Sequence, residues 1–146
     1  MILEKIKEDL KEAMKAHADV RVSTLRMVIS AVGNARIASG KELDDEAVQT
    51  ILAKEVKLRD EAIRMSQEAG RDELVSRGEE ERKILKAYLP EEMPEEEVRK
   101  LVDEAINEVQ AKGRADMGKV MVALMPKVKG RADGSLVSRL VQERLS

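Results

Sequence analysis

The sequence predicts an all-α protein, and three observations carry that expectation. Its apolar residues are Leu, Val, Ile, Ala and eight Met, with a single aromatic, Tyr88. Leu, Met and Ala, together with Glu, Lys and Arg, lose little side-chain freedom on entering a helix. Apolar positions recur at spacings of three and four, and no stretch sustains a two-residue alternation. At 42% hydrophobic and 38% charged residues the chain is globular in composition. Its 146 residues suffice for one ordinary domain or two small ones.

The elements follow in order. Ile2, Leu3, Ile6, Leu10 and Met14 mark a first helix ending near His17, a position where a protonated imidazole would favour the helix C-terminus. Asp19 is placed to cap a second helix, which carries Val22, Leu25, Met27, Val28, Ile29 and Val32 and ends at Gly40. Asp44 starts a long third helix, with Leu43 and Val48 at the positions of a hydrophobic staple. Val48, Ile51, Leu52, Leu58, Ala62 and Ile63 carry its apolar stripe towards Gly70, about 26 residues and roughly 39 Å of helix. Asp72 is placed to cap a fourth helix containing Leu74, Val75, Ile84, Leu85, Tyr88 and Leu89, which Pro90 stops. The predicted N-terminal domain, residues 1–90, is thus a set of helical hairpins around a long third helix.

Pro90 and Pro94, separated by Glu91, Glu92 and Met93, make a stiff, exposed joint and the predicted domain boundary. Beyond it, residues 94–146 predict a small three-helix domain. Pro94 suits the first turn of a fifth helix, where Glu95, Glu96 and Glu97 complement the helix dipole. Val98, Leu101, Val102, Ala105, Ile106 and Val109 form its inner face. Two shorter helices, near 116–126 and 133–145, begin alike: Gly113-Arg114-Ala115-Asp116 and Gly130-Arg131-Ala132-Asp133 are the same tetrapeptide. In each, Gly permits a positive φ, Ala packs and Asp caps. Met117, Met121 and Met125 form a stripe that suits a core, and a Met-rich face also adapts to a partner helix.

Absent residue types exclude much chemistry. There is no cysteine, hence no disulfide, thiolate nucleophile or Cys-based metal site, which fits a reducing compartment such as the cytoplasm. The first fifteen residues carry charges too often for a signal-peptide core or a membrane span. His17 is the only histidine and has no nucleophile motif beside it. The runs Glu79–Glu81 and Glu95–Glu97 point in successive directions around a helix and do not converge on a metal. No phosphate-binding loop or dinucleotide fingerprint is present. The sequence therefore predicts no catalytic residue, no metal and no cofactor.

What remains is a charge asymmetry. Residues Glu79 to Glu108 hold 11 acidic and 5 basic side chains, whereas Lys112 to Ser146 hold 8 basic and 3 acidic. A basic tail fits an anionic partner, and a solvated helical surface has the same composition. Lys127, Lys129 and Arg131 alternate through a predicted loop, and backbone amides plus cations there can receive phosphate oxygens. Aromatic stacking platforms are missing, so RNA bound there would be folded and gripped by its backbone.

The stretch from Asp116 to Gly134, DMGKVMVALMPKVKGRADG, resembles the signature of the YqeY-like family. The C-terminal half is similar to the tail domain of the GatB subunit of tRNA-dependent amidotransferases. Further resemblance lies in Asp9 through Met14, in Arg21 with Leu25, Arg26 and Met27, in Ala69-Gly70-Arg71 with Leu74, and in Tyr88-Leu89-Pro90. Pro94 and Ala18 depart from the family pattern. The resemblance implies a two-part helical architecture and an association with glutamine-dependent carbon–nitrogen ligation on aminoacyl-tRNA, although the catalytic portions of that enzyme have no counterpart in this chain. It carries over Lys119, Lys127, Lys129 and Arg131 as tRNA-contact positions. The expected function is a non-catalytic tRNA-interacting accessory protein, partnered by tRNA and by an amidotransferase or another aminoacyl-tRNA-handling protein. The alternative is a helical protein–protein adaptor without RNA binding.

Overall fold

Seven α-helices and one short 3-10 turn make up the chain in a computed structural model that describes residues 1–146, and no strand is present. The helices gather into two compact units, Met1–Leu89 and Pro90–Ser146.

The first unit contains α1 (Ile2–Lys15), α2 (Asp19–Ser39), α3 (Asp45–Glu68) and α4 (Asp72–Lys86). Ile6, Leu25, Val28, Val32, Val48, Leu52, Val56 and Leu85 form its core. Each fully buried Leu or Ile among them contributes about 2 kcal/mol relative to exposure. Asp44 caps α3, its Oδ1 accepting from the Ala47 N–H at 2.9 Å, with Val48 buried and Leu43 half-buried beside it. Asp19 and Asp72 do not cap. Ala18 and Arg71 occupy the cap positions without a side-chain bond, and both acids lie one residue inside the helix, where they complement its dipole.

Helix ends close by backbone geometry that the residue types only partly announce. Gly40 and Gly70 end their helices at φ +69° and +68°. His17 adopts φ +54°, with its N–H on the Met14 carbonyl and the Ala18 N–H on Ala13, so a histidine fills the left-handed position that glycine usually takes. The fourth helix ends at Lys86, four residues before Pro90. Tyr88 and Leu89 continue as tight turns, because the residue before a proline is driven out of the helical region and Tyr88 is held elsewhere. Its hydroxyl donates to Asp9 Oδ2 at 2.5 Å, and Lys5 and Arg21 lie 3.2 and 3.8 Å from the same carboxylate. Burial, and then the Asp9 bond, push the Tyr88 phenol up to about 12. Burial works against the Asp9 charge, yet Tyr88, Lys5 and Arg21 together hold its carboxyl below the usual carboxylate range.

None of residues 57–84 is buried, so the distal halves of α3 and α4 form a two-helix arm whose members pack chiefly on each other. Leu58, expected on the buried stripe, is 45% exposed for this reason, as are Met65 and Leu74 at 63% and 48%, and Met14 also faces outward while Ala13 is buried in its place. Polar bonds hold the arm's base. Arg59 reaches Glu55 at 2.7 Å and Glu81 at 3.1 Å, Arg77 also reaches Glu81, and all three groups of the first pairings are largely buried. Glu81 is thus a tied residue rather than part of a solvated run. Further out, a Cβ on Gly78 would stand 2.7 Å from Ile63 Cγ1, which shows how closely α3 and α4 approach.

The second unit contains α5 (Glu95–Val109), a 3-10 turn (Arg114–Asp116), α6 (Met117–Val128) and α7 (Gly134–Leu145). Val98, Val102, Ala105, Val120, Leu124, Val128, Val137, Leu140 and Val141 fill its core, with Met93. The Pro90–Pro94 segment belongs to this unit rather than lying free: Met93 is buried, and its N–H donates to the Arg131 carbonyl at 2.7 Å. Pro94 is the cap residue of α5 and not its first turn. The repeated tetrapeptide folds in two different ways. Gly130 has φ +78° and Asp133 caps α7 through the Ser135 N–H at 3.2 Å. Gly113 is fully extended, Ala115 is exposed, and Asp116 accepts from the Lys112 N–H instead of capping.

Three outcomes test this description. Gly78→Ala should lower the stability of the first unit by about 1 kcal/mol, since overpacking of 1–3 kcal/mol outweighs a helix-propensity gain of about 1 kcal/mol. Urea titration reads it, and a stabilised variant would show that the helices part without cost. His17→Gly should raise stability by about 1 kcal/mol by relieving the left-handed backbone. Tyr88 is the only tyrosine, so phenolate absorbance reports it alone. Its midpoint should lie near 12, against 10.0 in the unfolded chain. A folded pKa raised in this way gives stability that is complete below pH 10 and is lost as pH rises towards 12, and Tyr88→Phe should remove that loss.

Candidate nucleic-acid interface

No group of three or more His, Cys, Asp or Glu is placed to hold a metal ion. The predicted contact residues of the second unit are cations on α6 and just beyond it.

Helix α6 sets their positions. Val120, Leu124 and Val128 repeat every four residues and are fully buried, so the opposite side of the helix faces water. The helix does not stop at Pro126. It runs on to Val128, because burying that side chain keeps the last turn helical. The expected loop from Met125 to Gly134 is therefore shorter. Lys127 lies in the last turn, Lys129 is the C-cap, and only the residues between Gly130 and Asp133 link the helices.

The four predicted contact residues do not form one cluster. Lys119 stands exposed and without an ion pair, eight residues and about 12 Å of helix from Lys127. Lys127 points sideways to α5, where its Nζ lies 3.4 Å from Glu108 Oε2. Arg131 turns back onto the chain, its Nε donating to the Glu91 carbonyl at 3.3 Å while its own carbonyl receives the Met93 N–H. Lys129 is exposed at the helix end and is engaged in an interaction of its own.

Much of the remaining positive charge is tied to α5. Arg144 donates from Nε and Nη2 to Asp103 at 2.7 and 2.8 Å, and that bond holds Asp103 below the usual carboxylate range and raises Arg144. Arg139 bonds Glu95 at 3.0 Å, and Arg99 lies near Glu95 and Glu143. The net charge of the tail segment thus overstates the charge it presents. Helix α6 differs from every other helix in having no acidic residue.

One polar constellation escaped the sequence reading. Asp9, Arg21 and Tyr88 lie in three separate motifs of the family resemblance, and the first unit brings them together. The available signal was a lone aromatic residue directly before Leu89-Pro90, which composition alone marks as an apolar residue.

Comparison with known proteins gives these features their context. A profile described as Yqey-like protein matches residues 3–145. The Altered inheritance of mitochondria protein 41, mitochondrial, of Pyrenophora tritici-repentis is 28% identical over 146 residues, covering 98% of this chain and 80% of that protein. The protein of the same name in Clavispora lusitaniae is 32% identical over 113 residues, covering 75% of this chain and 65% of the relative. With the Lachancea thermotolerans relative the matched stretch spans about half of that protein's length, 46%. A glutamyl-tRNA(Gln) amidotransferase component of Thermococcus gammatolerans is 42% identical over 57 residues, covering 36% of this chain and 9% of that protein. These relatives bear mitochondrial and amidotransferase names, and in this chain no helix is long and apolar enough to cross a membrane. A match over nearly all of its length establishes that the chain belongs to the YqeY-like family.

Proposed function

We propose that the chain is a non-catalytic accessory protein that binds tRNA through its second unit and serves tRNA-dependent amidation or a neighbouring step of aminoacyl-tRNA handling. One observation carries the reading: α6 bears Lys119 and Lys127, is followed by Lys129 and Arg131, and has no carboxylate of its own. A phosphate backbone approaching the outward side of that helix meets no carboxylate belonging to the helix itself. The partial match to an amidotransferase component named for glutamyl-tRNA supports tRNA as the anion and amidation as the setting. The Lys127–Glu108 ion pair is exposed and such pairs are weak enough to exchange for phosphate, and the Arg131 bond to the Glu91 backbone carbonyl is likewise exposed. Cytoplasmic residence belongs to the same reading, as does an amidotransferase or other aminoacyl-tRNA-handling protein as partner.

A second reading, a protein–protein adaptor, is favoured by the arm of the first unit, which exposes Leu58, Met65 and Leu74. Large apolar side chains without cover suit a partner surface. Retention of a partner in high salt without RNA separates this reading from the first.

Binding to purified tRNA across a salt series tests the leading reading. If Lys127, Lys129 and Arg131 each neutralise a phosphate, each adds roughly 0.7 to 0.9 to the slope of log affinity against log salt. Changing all three to Gln should flatten the slope by about 2 to 3 and weaken all tRNAs alike, since backbone contacts carry no base preference. An unchanged slope in a folded triple variant removes these residues from the interface.

A further inference from the structure

The arm of the first unit has two unlike flanks. Glu55, Leu58, Ala62 and Met65 follow one another along α3 by three, four and three residues, so they lie in one row. Arg59 binds both Glu55 and Glu81, which puts that row on the flank of the arm where Glu81 stands. Leu74 precedes Glu81 by seven residues, two turns of α4 away on the same flank. The other flank holds the Asp60–Arg82 pair and is lined with further charge from Glu79, Lys83 and Lys86. Leu58, Ala62, Met65 and Leu74 are all exposed. A row with this spacing suits the narrow seam between two helices. It is separate from the stripe that α3 buries through Val48, Leu52 and Val56.

Charge decides what can cover the row. Lys54, Glu61 and Glu68, each seven residues apart, border it on the side away from α4. No ion pair joins Lys54 or Glu61, and Glu68 has only an exposed contact with Arg64 at 3.7 Å. From Lys57 to Lys83 the arm holds seven cations and eight acids, so its net charge does not keep two copies apart. The Arg59–Glu81 and Ile63–Gly78 contacts set the register of the two helices, with Glu61 level with Glu80 and Glu68 level with Glu73. Two arms face to face and pointing the same way would lay α3 of each on α4 of the other. Glu61 would then oppose Glu80, and Glu68 would oppose Glu73. Two arms pointing opposite ways lay α3 on α3 and bring the base of each to the tip of the other, so Lys54 meets Glu68 twice. Glu61 then lies near its own copy, where Arg64, one turn on, offsets it.

We propose that the apolar flank of the arm pairs with the same flank of a second copy of this chain, the two arms running antiparallel. This is independent of the RNA-binding reading. From Lys54 to Glu68 the flank is about 21 Å long, and two packed helices are roughly 20 Å across. Two copies crossing there hide about 800 Å² in all, below the roughly 1,200 to 2,000 Å² of stable complexes. The dimer is therefore weak and forms as concentration rises.

The test uses the full chain without RNA. Sedimentation from micromolar to millimolar concentration should show monomer giving way to dimer. Met65→Glu changes an exposed side chain, so it should keep the helix content by circular dichroism and weaken the dimer more than tenfold. Lys54→Glu and Glu68→Lys should each weaken it about fivefold, and the two changes together should restore it. The chain has no cysteine, so Ala62→Cys places one thiol per copy close to the crossing point. Mild oxidation should then join two chains, which arms pointing the same way would not allow. A chain that stays monomeric at millimolar concentration overturns the proposal and leaves the flank to a different protein. A dimer indifferent to Met65→Glu, or one that Ala62→Cys does not join, overturns the proposed face or its direction.

Discussion

Burial of Val120, Leu124 and Val128 along one side of α6 governs the second unit. The unit is small and its core is mostly valine and leucine, so each of these side chains is a large part of the apolar area it can hide. Keeping Val128 inside requires a helical last turn, and that turn is kept despite Pro126. Everything polar then follows. Lys127 is carried to the flank facing α5, Lys129 becomes the helix end, and Gly130 takes a left-handed conformation so that the chain can reverse into α7. Arg131 is left where its carbonyl can receive the Met93 N–H, which lays the Glu91–Met93 segment onto the same core.

That arrangement changes how the charge of the tail should be understood. Several of its cations serve the helix bundle, since Arg139 and Arg144 bond to carboxylates of α5. Such exposed pairs contribute little stability individually, but they reduce the charge free to meet a ligand. The helix without carboxylates is where uncompensated charge persists, and Lys119 is its clearest case. A functional argument from net charge alone would have weighted all eight cations of the segment equally.

The first unit is built on a different balance. Its core lies at one end of α3 and α4, among Val48, Leu52, Val56 and Leu85, and the distal halves of the two helices hold together without a buried residue. Close approach at Gly78 and the Arg59–Glu81 pairing take the place of a hydrophobic interior there. Segments with few buried apolar contacts open at lower free energy than a core. The arm is therefore the part of this unit most able to adapt to another molecule.

Apolar spacing was enough to read the helical class, the order and approximate limits of the helices, and most of the core, because a repeat of three to four residues leaves a helix one face to hide. The sequence also determined the Asp44 cap and the glycine ends at Gly40 and Gly70, where local chemistry decides the outcome. The rest depends on which elements pack together. Leu58, Met65 and Leu74 have the right period but no neighbouring element to cover them. One tetrapeptide folds in two ways because its second copy must turn into α7 while its first lies extended before a 3-10 turn. Asp9, Arg21 and Tyr88 meet only because α1, α2 and the end of α4 pack together. The basic residues of the tail gave their sign in the sequence but not their directions. A side chain's direction depends on which face of its helix the core claims, and that is fixed by the partners the helix packs against.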